Sequence, residues 1–179
     1  MTKVISTKSG TESQILAVGS YRPKRIVPNS EIVDRIESSD EWIQQRTGIE
    51  SRRFASAEES VVDMAIGAAE QALSRAKLTI TDVDAVVVAT ITYPHQAPSA
   101  ATAVIQRMGN PTAAAYDISA ACAGFCYGVA LAHDMVRAGS AKKVLVIGVE
   151  KISDFTDPTD RATAFIFADG AGAVIIGES

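Results

Sequence analysis

The chain has 179 residues, 47% hydrophobic and 21% charged, with a formal net charge of -4. That composition fits a soluble globular protein with one sizeable core, and its acidic balance argues against nucleic acid or an anionic membrane as the main partner. Two cysteines four residues apart, with no ligand-type neighbours, make neither a disulfide framework nor a metal site.

Residues 1–14 are polar and lack the apolar stretch of a secretory leader. The longest apolar runs, such as Ala85–Ala89, fall far short of the roughly 20 residues needed to span a bilayer. The expectation is a cytoplasmic protein. Ile15–Gly19 reads as a strand and Tyr21–Pro28 as an extended connection, because Pro23 and Pro28 exclude helix there. Asn29 or Ser30 is placed to cap a short helix through Ile36, and Ser38-Ser-Asp-Glu41 has the spacing of a capping box that opens another.

That second helix carries Trp42 and Arg46 at i, i+4, so indole and guanidinium share one face. Two readings stay open. The pair is either a core tryptophan with an arginine lying over it, or a planar surface beside a fixed cation that grips a nucleotide. Ser56-Ala-Glu-Glu59 reads as the cap of a long amphipathic helix over about residues 60–76, and Ala85–Ile91 as a valine-rich strand covered on both faces. A loop through Pro98 follows, then a helix from Ser99 to Met108.

Ala113–Ile118 reads as a buried strand, and the chain after it runs without proline to Gly139, a helix terminator. Cys122 therefore sits where a strand turns into a helix. The helix is apolar on nearly every side, which places it in the middle of something larger. Its first-turn amides and dipole favour a thiolate. A buried, inert cysteine is the competing reading; Cys126, one turn on, reads as a small core residue.

Lys143–Val149 is another strand with no polar alternation, and strands separated by helices imply parallel pairing with helices on both faces. Glu150–Asp160 is a loop leading to Arg161 and the apolar segment 162–167. Asp169-Gly-Ala-Gly-Ala173 lacks the lysine and helix of a phosphate loop and reads as a tight turn into a strand over Val174–Gly177. Neither histidine is a clear partner for Cys122. His133 is eleven residues further along the same helix, roughly 16 Å away, and His95 lies in a loop with nothing to specify it.

Several stretches together are similar to the β-ketoacyl-ACP synthase III family: Ser39-Asp-Glu-Trp-Ile-Gln-Gln-Arg-Thr-Gly-Ile49, Asp117-Ile-Ser-Ala-Ala-Cys-Ala-Gly-Phe125, Asp157-Pro-Thr-Asp-Arg161 and Phe167-Ala-Asp-Gly-Ala-Gly-Ala173. The resemblance implies an α/β thiolase-like layered sandwich. This chain, residues 1–179, would be its amino-terminal half with a mixed five-stranded sheet.

It also implies that Cys122 takes an acyl group from acyl-CoA as a thioester, and that malonyl-ACP loses carbon dioxide and attacks it to give 3-oxoacyl-ACP. Trp42 and Arg161 would sandwich the adenine of CoA, with Arg46 near its phosphates and Ser38 at the same edge. Ile152 and Phe167 would line the acyl pocket, and Ala97 matches a position that closes it across a homodimer interface. A small residue there points to longer or more branched starters. No cofactor or metal is implied; acyl-CoA and the acyl carrier protein are substrates.

The family chain is nearly twice as long, and its catalytic histidine and asparagine belong to a carboxy-terminal half not contained here. A polyketide starter-unit synthase, a hydroxymethylglutaryl-CoA synthase and a non-catalytic partner subunit are the rival readings. The Trp42, Arg46 and Arg161 set disfavours the second, and retention of Cys122 the third.

Overall fold

A computed structural model describes residues 12–179, so most of the polar amino-terminal arm, residues 1–11, lies outside it. The strands are β1 (Ser13–Tyr21), β2 (Arg25–Pro28), β3 (Ser51–Phe54), β4 (Ala85–Ala89), β5 (Ala114–Ile118), β6 (Lys143–Glu150) and β7 (Gly170–Glu178). The helices are α1 (Asp40–Thr47), α2 (Val61–Ala76), α3 (Ala100–Met108) and α4 (Gly124–Arg137).

Five strands form one sheet in the order β1-β7-β6-β4-β5. β4 pairs in parallel with β5 and β6, while β7 runs antiparallel to β6 and β1. Parallel neighbours need long crossovers, and α3 and α4 supply them. The sheet is therefore mixed, as the resemblance implies.

Side-chain alternation divides the sheet's two faces. Val86, Val88, Leu145, Ile147, Ala173 and Ile175 point toward α2 and α3, while Ala85, Val87, Val144, Val146, Val174 and Ile176 point toward α4. Every residue of β4 is buried, as a strand sandwiched between helical layers must be. A third cluster lies apart: Val27, Ile32, Ile36, Ile43, Ala164 and Phe165, with Trp42 packed against them, beside the antiparallel β2–β3 pair and α1.

α4 sits on the sheet through Gly124, Gly128, Ala132 and Val136, a stripe at four-residue spacing. A methyl group at Gly128 would lie 2.8 Å from Val146 Cγ1, so glycine is what lets the helix come this close. The other side of α4 is open: Tyr127 is 59% exposed, and Leu131 and both cysteines are also exposed. The all-round burial expected from its composition is thus met on one face only within these residues.

Several local expectations shift. The helix expected over 29–36 is two 3-10 turns, Asn29–Glu31 and Val33–Ile36, because the Asn29 side chain is drawn inward and Glu37 turns left-handed at φ 48. Ser39, not Ser38, caps α1 by accepting from the Trp42 amide. Ser60 and Asp63 form the capping box of α2, and the Ser56–Glu59 stretch is a separate turn in front of it. Gly170–Ala173 lies within β7, paired with Gly19–Tyr21 of β1 and with the end of β6, rather than in a turn.

Candidate active site

Cys122 is presented by an abrupt reversal. β5 ends at Ile118, Ala120 takes φ -144 and ψ 27, and Ala121 takes φ 45 before a 3-10 turn, Ala121–Ala123, runs into α4. A left-handed alanine is costly, and it lifts the next residue out of the strand line, leaving Cys122 exposed at the mouth of the helix. Among the described residues nothing accepts a hydrogen bond from the Cys122 amide. A free amide at the start of a helix can stabilise negative charge that develops beside it.

The approach to this turn is held by Asp117, one residue before the end of β5. Its two carboxylate oxygens accept from the amides of Ala100 at 2.7 Å and Ala101 at 2.8 Å. These are first-turn donors of α3 that would otherwise lack partners, so β5 and α3 are fixed to each other just before the chain reverses.

Cys122 opens on an apolar cleft of about 380 Å³ lined by Ile91, Ala121, Glu150, Ile152, Phe167 and Ala168. The structure thus brings together Cys122, Ile152 and Phe167. Two polar knots shape the walls. Asp169 accepts from the Ala55 amide (2.7 Å), the Ser153 amide (2.9 Å) and the Ser153 hydroxyl (2.6 Å), fixing the segment beside Ile152. Glu150 accepts from the Ile91 amide (3.0 Å) and the hydroxyls of Thr90 (3.2 Å) and Thr92 (2.6 Å), fixing Ile91.

Glu150 was not legible as a site residue; its only signal is a carboxylate at the end of an otherwise apolar strand. Phe167, 41% exposed, and Ile166, 47% exposed, continue the apolar surface beyond the cleft.

A second constellation stands on α1. The Arg46 guanidinium lies over the Trp42 ring at 4.2 Å from its centroid, and that of Arg161 at 5.5 Å. Phe165 supports the indole edge-on at 5.2 Å. A half-buried aromatic plane beside two cations suits a flat, anionic ligand such as a nucleotide, by stacking and charge together. One edge of Trp42 packs on the core, and the rest of the residue meets solvent and the two arginines.

The remaining expected residues fall elsewhere. Ser38 stands just before α1 with its hydroxyl buried and, among the described residues, unpartnered. Ala97 is exposed in the loop before α3, outside the Cys122 cleft. His133 is bound to the Ser13 hydroxyl at 2.5 Å, well along α4, and His95 lines a separate cavity of about 440 Å³ beside β5. Cys126 borders a groove with His133, also away from the cleft. Among the described residues no group of three or more His, Cys, Asp or Glu is clustered as a metal site, and no helix is long and apolar enough to cross a membrane.

A mixed sheet between helical layers, with a cysteine raised at the strand-to-helix reversal, is the half-unit of a thiolase-like fold. Solved structures agree with that class. A priming β-ketosynthase of a polyketide biosynthetic pathway superposes with a TM-score of 0.93 at 40% identity, over 98% of this chain and 53% of its own. A 3-oxoacyl-(acyl-carrier-protein) synthase III from Aquifex aeolicus gives 0.90 at 42% identity, over 95% of this chain and 54% of its own.

Residues 116–179 match the family 3-oxoacyl-(acyl-carrier-protein (ACP)) synthase III. The whole chain is 52% identical to a β-ketoacyl-(acyl-carrier-protein) synthase III from Streptomyces avermitilis and 51% identical to one from Mycobacteroides abscessus. Over its whole length the chain is thus similar to synthase III enzymes. It spans about half the length of the curated relatives it matches, 50% and 53% for these two.

Proposed function

We propose that this chain is the amino-terminal half of an enzyme that condenses acyl-CoA with malonyl-ACP, and that Cys122 carries the acyl group between the two steps. The observation that carries the reading is the placement of Cys122: on a strained reversal, with an unpaired amide, at the mouth of an apolar cleft. The thiolate attacks the acyl-CoA carbonyl, a tetrahedral oxyanion forms against the Cys122 amide, and CoA leaves as thiolate, taking a proton. Malonyl-ACP then loses carbon dioxide, and its carbanion displaces Cys122 to release 3-oxoacyl-ACP.

Ile152 and Phe167 bound the acyl chain in this reading, while Trp42, Arg161 and Arg46 receive the nucleotide of CoA, with Ser38 at the edge of the same ligand. By resemblance to the synthase III family, a histidine and an asparagine promote decarboxylation, and in this reading a carboxy-terminal half supplies them. Ala97 acts across a homodimer interface, where its small side chain leaves room for longer or branched starters. No cofactor or metal takes part, and the setting is the cytoplasm.

The test is condensation by the whole enzyme, both halves present, measured as formation of 3-oxoacyl-ACP carrying label from labelled acyl-CoA in the presence of malonyl-ACP. The Cys122→Ala variant should form no 3-oxoacyl-ACP. Condensation at the wild-type rate by that variant would rule the reading out.

A further inference from the structure

Beneath the Trp42 platform lies a polar network that the proposed mechanism does not use. Arg52 on β3 is only 5% exposed, and among the described residues no carboxylate lies within ion-pair distance of it. Its guanidinium donates to the Val27 carbonyl (3.2 Å), the Asn29 side-chain oxygen (2.5 Å) and the Phe165 carbonyl (3.2 Å). Its Nε has no partner among the described residues. Burial pushes this guanidinium down from its ordinary value.

Asn29, 1% exposed, passes the connection on. Its amide nitrogen donates to the Asp40 carboxylate (2.6 Å) and the Ile49 carbonyl (2.7 Å). Asp40 is the first residue of α1, and Ile49 lies just past its end. Gln44, and after it Asn29, hold the Asp40 carboxyl below its ordinary value.

The acceptors have one thing in common. Phe165 belongs to the turn that carries Arg161 and braces the indole, Asp40 and Ile49 bracket the helix that carries Trp42 and Arg46, and Val27 belongs to the β2–β3 pair that shares their core cluster. One buried fork therefore joins the two segments whose separation sets the gap between Trp42 and Arg161. An apolar side chain of similar volume could fill the space without the cost of burying a charge. What only arginine supplies is several donors in a rigid plane, aimed at different segments at once.

From this geometry we infer that Arg52 and Asn29 are positioning residues for nucleotide binding, tying the helix that carries Trp42 and the turn that carries Arg161 to each other. The inference rests on the reading of those walls as the CoA nucleotide site. It makes one demand: loss of the network must harm ligands that carry the nucleotide and spare those that do not.

The test compares acyl-CoA with the matching acyl-N-acetylcysteamine thioester, which lacks the nucleotide, in the whole enzyme with both halves present. Trp42 is the only tryptophan of this chain, so its fluorescence, followed against that of Trp42→Ala, reports CoA binding. Arg52→Met removes all three of the guanidinium's hydrogen bonds to Val27, Asn29 and Phe165 and should weaken CoA binding and raise KM for acyl-CoA by on the order of tenfold. kcat and the rate with the short thioester should stay near wild type. Arg52→Lys, which keeps the charge but not the fork, and Asn29→Ala should fall in between. If Arg52→Met proves insoluble, these two variants carry the test by the same criterion.

Unchanged preference between the two thioesters, or an equal fall for both, overturns the inference. Trp42→Ala separates the two levels. If it lowers use of acyl-CoA relative to the short thioester while the Arg52 variants do not, only the positioning role falls. If Trp42→Ala also leaves the ratio unchanged, the nucleotide reading falls and takes the inference with it.

Discussion

Substituting Gly128 by alanine tests whether Cys122 depends on the close seating of its helix. The added methyl would stand 2.8 Å from Val146 Cγ1, 3.6 Å from Val87 Cγ1 and 3.8 Å from Ile118 Cδ1. Val146 and Val87 are fully buried in the sheet and have nowhere to turn, so α4 must lift by several tenths of an ångström. Overpacking of this kind costs about 1–3 kcal/mol, and the helix-propensity gain on replacing glycine offsets up to about 1 kcal/mol of it.

The net expectation is a loss of roughly 1–2 kcal/mol, or a Tm lower by about 2–8 °C for a domain of this size. Thermal unfolding by circular dichroism reads the first effect, and the alkylation rate of Cys122 by iodoacetamide reads the second, which should change as the helix mouth moves. An alanine variant with a raised Tm and an unaltered alkylation rate would refute the argument, because the propensity gain would then be acting with no steric opposition.

Two further outcomes follow from the polar groups. At the start of α2, partial burial opposes ionisation of Asp63, but the Ser60 hydroxyl and amide and the Arg107 guanidinium hold its carboxyl down at about 2, against a usual 3.8. The stabilisation is complete above about pH 4 and is lost as pH falls toward 2; with the side chain 36% exposed it amounts to on the order of 1 kcal/mol after solvent screening. Asp63→Asn should flatten acid unfolding over that window, and an unchanged profile would contradict the assignment. Asp117→Asn takes the charge from an acceptor of two α3 amides and should cost about 1–3 kcal/mol in denaturant unfolding, with slower acylation of Cys122 because the chain before the reversal loosens.

The valine runs of β4 and β6 were legible because strands covered on both faces need no polar alternation, and the Cys122 reversal because a strand, small residues and a proline-free apolar run meet there. The caps were readable in kind but not in register. Ser38-Ser39 and Ser56…Ser60 each offer two hydroxyls with acidic residues near the right spacing, and packing of Ile43 and of the α2 alanine face decides which one is used. β7 starts four residues earlier than the sequence suggests, because glycines look like a turn until a partner strand pairs with them.

The roles of Arg52, Asn29 and Glu150 had no local signal at all. Each joins segments distant in sequence: Arg52 to Phe165, Asn29 to Asp40, and Glu150 to Ile91. The outer face of α4 shows the converse. Its apolar composition was plain in the sequence, and its cover is not among these residues.

The central claim is that the sulfur raised at the strand-to-helix turn forms the acyl thioester. Brief exposure of the whole enzyme to labelled acyl-CoA, followed by proteolysis and peptide mass mapping, tests it most directly, since Cys122 and Cys126 lie on adjacent turns and are both exposed. The account predicts a hydroxylamine-sensitive acyl group on Cys122 and none on Cys126. An acyl group on Cys126, or on neither sulfur while condensation proceeds, would contradict it.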